Sequence, residues 1–174
     1  MSKRLLIAVA VVIVVIALAI AVPKISPGDQ AATNTPTDMR ISFVKEDMKR
    51  VSFGVTENIG SQKSETLIIN NDGTAFYTRS VEGEKGSQAK FQVDGQELKR
   101  IRALITETGF MQIPKEQFEP RDNVTEFTRY TLTASFGSSA KTVQWVDESS
   151  SKDTVPALLT MIKETLLGTV KDRE

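Results

Sequence analysis

The chain has 174 residues, carries 22 Lys and Arg against 22 Asp and Glu, and contains neither histidine nor cysteine. Without imidazole the usual general base near neutral pH is missing, and so are imidazole metal ligands. Without thiols there are no disulfides, thiolate nucleophiles, zinc–sulfur or iron–sulfur centres, or covalently attached haem, which leaves carboxylate, Ser/Lys or oxygen-ligand chemistry.

Residues 1–4 include Lys3 and Arg4, and Leu5 to Val22 is a run of eighteen apolar residues that stops at Pro23. At about 1.5 Å rise per residue, such a helix spans most of a hydrocarbon core about 30 Å thick. The run therefore predicts a single-pass transmembrane helix over 5–22, held in the lipid bilayer of the cell membrane. The cations ahead of it keep the N-terminus cytoplasmic and send the remainder outside. Ala19-Ile20-Ala21 also reads as a small-x-small cleavage site, so a secreted form after signal removal is the alternative. A subunit of a surface assembly, packed through this helix, is the third reading. No cysteine follows the run, which excludes a thioether lipid anchor.

Residues 23–38 hold three prolines among small polar residues and predict a flexible tether with a reach of about 20 Å. An extracytoplasmic domain is expected over 39–168, with a short tail over 169–174. Three of the 22 cations are Lys3, Arg4 and Lys24, leaving 19 against 22 acids beyond them. A mildly acidic domain has no electrostatic drive towards nucleic acid, and none is expected as a partner. Lys99, Arg100 and Arg102 make only a local basic patch.

Within the domain, Lys49 to Thr56 alternates, with Val51, Phe53 and Val55 on one strand face. Glu65–Asn70 and Thr74–Ser80 flank Asn71-Asp72-Gly73, a strong hairpin signal because those residues tolerate positive φ. The same Asn70–Gly73 stretch lacks the alternating oxygen ligands and closing glutamate of a calcium loop. Gln88 to Val93 predicts a further strand after a turn over Glu82–Gly86. Asp94 with Glu97 resembles a capping box, opening a helix through Leu98, Ile101, Leu104 and Ile105 that Gly109 stops. Glu126–Phe136 alternates, Gly137-Ser138-Ser139 turns, and Ala140–Val146 returns. Thr154 is the expected cap of a last helix, with Pro156 in its first turn and Val155, Leu158, Leu159, Ile162 and Leu166 as its stripe before Gly168. The expected fold class is α+β: a single N-terminal transmembrane helix, then an antiparallel sheet with two helices packed on one face.

The hairpin ending in NNDGTAFYT, the L-x-x-I-x-x-L-I helix closing on Thr108-Gly109-Phe110, the VQWVD strand and the P-x-L-L helix together resemble small uncharacterised exported domains. Those occur as lipoproteins or single-span proteins and are classed as domains of unknown function. The likeness covers roughly residues 49–167 and implies no activity, cofactor or site residue.

Among candidate sites, the long connection Met111–Thr125 stands out, because such loops are often functional. Phe118, Glu119, Arg121 and Asp122 form a candidate interaction loop there. The competing reading is a surface loop whose Ile113 and Phe118 cover the sheet edge. Asn123-Val124-Thr125 matches the N-glycosylation acceptor pattern at Asn123. Glu46-Asp47 and Asp147-Glu148 would make a glycosidase-type carboxylate pair if the fold brought them within about 5–9 Å. Ser149–Lys152 (SSSK) superficially suggests a Ser–Lys dyad but lies in a polar stretch without a nucleophile elbow. Trp145, Tyr77 and Tyr130 read as core or half-buried strand residues. No residue is assigned as catalytic, cofactor-binding or metal-ligating. The expected function is a non-catalytic binding domain for a protein or small ligand, with a carboxylate-dependent extracytoplasmic hydrolase as the alternative.

Overall fold

The computed structural model describes residues 38–53 and 56–171. In chain order these form β1 (Met39–Phe53), β2 (Thr56–Asn70), β3 (Thr74–Val81), β4 (Glu84–Gln92), α1 (Gly95–Thr106), a short 3-10 turn (Phe110–Gln112), β5 (Glu126–Phe136), β6 (Ser139–Val146) and α2 (Ala157–Val170). The six strands make one antiparallel sheet in the order β4-β3-β2-β1-β5-β6. Every sequential strand pair is a hairpin except β4–β5. There α1 and the long loop carry the chain from one edge of the sheet back to β1.

Inward residues of the five strands other than β4 join those of both helices in one core, against which β4 packs the half-buried Phe91. Phe43, Leu67, Tyr77, Leu132 and Trp145 from the sheet meet Ile101, Ile105, Leu159, Ile162 and Leu166 from the helices. Period-2 alternation in the strands and period-3.6 spacing in the helices put these residues on facing surfaces. Phe43, Tyr130 and Trp145 stack at 5.6–6.3 Å between ring centroids. Aromatic contacts of that kind add about 0.5–1.5 kcal/mol beyond the area they bury.

The expected fold class needs correction. The described chain is mostly six-stranded antiparallel sheet with two helices, and no described helix is long and apolar enough to cross a membrane. The longest, α2, has 14 residues, enough for about 21 Å, and it spends its apolar stripe on the sheet. Residues 5–22, expected as a transmembrane helix, lie outside the described residues, as do the tether positions before 38.

Boundaries also shift. β1 begins at Met39, and Thr56 is not its last residue but opens β2 as the register partner of Phe53. The turn expected over Glu82–Gly86 is tighter. Glu82 (φ 50°) and Gly83 (φ 83°) are both left-handed, the two-residue connection that matches strand twist, so β4 starts at Glu84. Gly86 then packs directly on a backbone, because a Cβ there would lie 2.7 Å from the Arg79 carbonyl oxygen. The Asn70–Gly73 turn is closed by Gly73 N–H to the Asn70 carbonyl (3.0 Å), and Asp72 accepts from the Thr74 N–H and hydroxyl, each at 2.8 Å.

Asp94 caps α1 by accepting from the N–H of Gln96 (2.8 Å) and Glu97 (3.4 Å), but Glu97 does not complete the box. It accepts instead from the Thr169 hydroxyl at 2.8 Å, tying α1 to α2. α1 ends at Thr106, and Gly109 (φ 91°) introduces the 3-10 turn rather than stopping the helix. Pro156, not Thr154, holds the cap position of α2, which runs past Gly168 to Val170 and so absorbs the start of the expected tail.

Candidate functional site

β1 and β2 are each 15 residues long, and past Phe43 and Leu67 their inner face turns from apolar to charged, with Lys45, Asp47, Lys63 and Glu65. Strand alternation sends Glu46 and Asp47 to opposite faces. Glu46 pairs with Arg129 on the outer face at 2.8–2.9 Å. Asp47 accepts from the Thr128 hydroxyl at 3.2 Å, since the two are register partners between β1 and β5. At the end of β6, Asp147 accepts from the Thr128 N–H at 2.9 Å. Thr128 therefore gathers Asp47 and Asp147, two of the four acids noted in the sequence, on one residue. Glu148 turns away and accepts from the Thr160 hydroxyl of α2 at 2.6 Å.

A cavity of about 560 Å³ opens beside the pair, lined by Asp47, Gln62, Glu126, Thr128, Asp147 and Ser149 among others. Asp147 is fully engaged by its own chain. Its second oxygen accepts from the Ser149 hydroxyl (2.6 Å), the Ser150 hydroxyl (2.7 Å) and the Ser150 N–H (3.1 Å). Burial pushes its pKa up, but these donors and Thr128 outweigh burial and hold the carboxyl below its ordinary value. A general acid near neutral pH needs the opposite shift. The serines of the SSSK stretch thus serve as donors to Asp147. Burial first, then the nearby Asp147, raises the pKa of the Tyr130 phenol.

A second buried charge was not singled out from the sequence. Glu65, 5% exposed on β2, faces inward beside Leu67 and is paired by Lys63 and, at 3.6 Å, by Lys45. Burial opposes its charge, yet the Lys63 contact, the two ammonium charges and a bond from Tyr77 hold its pKa below the ordinary value. Among the described residues, no group of three or more acidic side chains could hold a metal ion.

The 111–125 connection is strapped to the domain. Phe118 is 6% exposed and belongs to the core, as do Phe110 and Ile113. Gln144 N–H donates to the Glu116 carbonyl (2.8 Å) and Phe118 N–H to the Gln144 carbonyl (2.9 Å), so the segment runs along β6 and covers that edge. Arg121 donates through its backbone to Ser150 (2.9 Å) and through Nε to the Ser151 carbonyl (3.0 Å). Lys152 N–H donates to the Glu119 carbonyl at 2.9 Å. Arg50 Nη1 donates to the Asp122 carbonyl at 2.5 Å. Of the candidate loop residues, Phe118 is spent on packing and Arg121 on bracing, while the side chains of Glu119, Asp122 and Asn123 remain exposed.

Two surfaces stay open among the described residues. The sheet face opposite the helices carries half-buried Ser42, Val44, Thr66, Ile68, Phe76, Thr131 and Thr133, with Met48, Phe127 and Val146 in a small cluster closed by Val124. The β4 edge is exposed along its length except at Phe91. Trp145, Tyr130 and Tyr77 are all buried in the core, so none offers a stacking platform. Compared with protein-family models and with curated proteins, the chain matches none.

Proposed function

We propose that the chain is a non-catalytic binding domain that works outside the cytoplasm, carried there behind its basic and apolar leader. The partner is a protein or small ligand. The observation that carries this reading is the state of the acid pair that Thr128 gathers. Asp147 is saturated by three residues of its own chain and held ionised, which suits bracing of the β5–β6 end rather than proton transfer. The open sheet face and open β4 edge supply contact area that the domain does not use internally. The resemblance to exported domains points the same way on location.

The alternative, a carboxylate-dependent hydrolase, gains from the meeting of Asp47 and Asp147 at one cavity. A membrane-impermeant cross-linker applied to intact cells separates the two. Capture of a discrete partner that survives an Asp47→Asn, Asp147→Asn double variant supports binding. Absence of any partner, together with acid-pair-dependent hydrolysis of a glycoside panel, would overturn it.

A further inference from the structure

The sheet has two edges, and the chain treats them differently. Along β6, the segment around Gln117 is already hydrogen-bonded through Gln144 and sealed by Phe118. Along β4, no described segment lies alongside, and eight of its nine residues are exposed.

The phase of β4 follows from one bond. Val93 N–H donates to the Gly73 carbonyl at 2.9 Å, so Val93, Phe91 and Ala89 turn their main-chain groups towards β3. In an antiparallel ladder the alternate residues turn theirs away, and here these are Gln88, Lys90 and Gln92. The pairing slips between Thr78 and Ser80, where Gly86 packs on the Arg79 carbonyl, so the regular run is residues 88–92. About five residues is a usual length for a strand.

Lys90 is the only charge in that run. It lies on the outer face over Phe76, 5.8 Å from the ring centroid, with Gln88 and Gln92 on the same side. Across the bulge, Lys85 faces the same way opposite Ser80. A second copy pairing antiparallel about this run brings Lys90 against Lys90, and edge lysines are a common guard against that association. A strand bearing a carboxylate opposite Lys90 converts the repulsion into attraction.

Resting on the binding-domain reading, we propose that the β4 edge takes up an extended acidic segment of a partner protein as an added strand. Its main chain pairs with Gln88, Lys90 and Gln92, and a carboxylate faces Lys90.

The test uses the isotope-labelled full chain in mild detergent and a seven-residue probe peptide alternating glutamate and valine. Binding is expected to shift the amides of residues 88, 90 and 92 and slow their hydrogen exchange at least tenfold. A matched lysine–valine peptide should bind at least fivefold more weakly. Lys90→Glu should reverse that preference, and Gln88→Pro, which removes an outward N–H the fold does not use, should abolish binding with an unchanged circular dichroism spectrum. Should Gln88→Pro misfold, the Lys90→Glu reversal decides alone. No binding, shifts elsewhere, insensitivity to Lys90→Glu, or exchange protection of these amides by self-association without peptide would each overturn the proposal. Partners captured on cells equally by wild type and Lys90→Glu would sink the edge assignment while leaving the binding reading intact.

Discussion

At the scale of single residues, Thr128 and Glu65 organise the charged end of the domain. Thr128 joins acids from β1 and the β6 end, contacts 81 and 19 residues apart in sequence. The four acids were visible in the sequence, but that two of them meet depends on the β1–β5 register, which no local pattern encodes. Glu65 was hidden for a related reason. In ETLIIN it reads as a polar strand end, and only Lys45 across the β1–β2 ladder together with Lys63, two residues before it on β2, makes it an interior ion pair. Removing one partner of a buried pair costs about 3–5 kcal/mol, so Glu65→Ala should lower stability by roughly that amount in urea unfolding, with Lys45→Met costing less. The sign of the pH effect follows from the lowered pKa values of Glu65 and Asp147. Each contributes stability that is complete above its unfolded pKa, near 4, and is lost as pH falls through the lower folded value. Melting temperature should hold from pH 7 to 5 and drop below about pH 4, and Asp147→Asn should flatten that drop. An unchanged acid limb in Asp147→Asn would contradict the assignment.

At the scale of elements, what was legible were the pieces with local chemistry. The Asn-Asp-Gly turn, the Asp94 cap, the alternating β5 and the stripe of α2 all appear where their residues predict. The pieces held by long-range pairing were not legible. Residues 56–64 read TENIGSQKS, with one apolar side chain and a glycine, and they form strand because eight register pairs with β1 carry them. β4 is polar because it is an edge, and its start was misread for that reason. The 111–125 connection is structural through Phe118 and Ile113. Phe118→Ala should therefore lower stability by about 3–5 kcal/mol and speed amide exchange at Gln144. Glu119→Ala and Asp122→Ala, changing exposed side chains only, should stay within about 0.5 kcal/mol of wild type. Gly86→Ala forces a methyl against the Arg79 carbonyl and should cost about 1–3 kcal/mol in the same assay. A neutral result would mean that the bulge relaxes.

At the scale of the whole molecule, the domain buries one sheet face under two helices, and among the described residues the other face is covered only where Val124 closes the Met48 cluster. With no cysteine, its stability rests on non-covalent contacts alone, so reducing agents should leave its thermal unfolding unchanged. On the proposed function, this domain meets its partner beyond the cytoplasm. The missing cysteines make the decisive measurement clean, because one introduced thiol is the only thiol in the chain. Glu119→Cys, at an exposed position, should react with a membrane-impermeant maleimide on intact cells as fully as after lysis. Labelling that occurs only once the cells are broken would contradict the account.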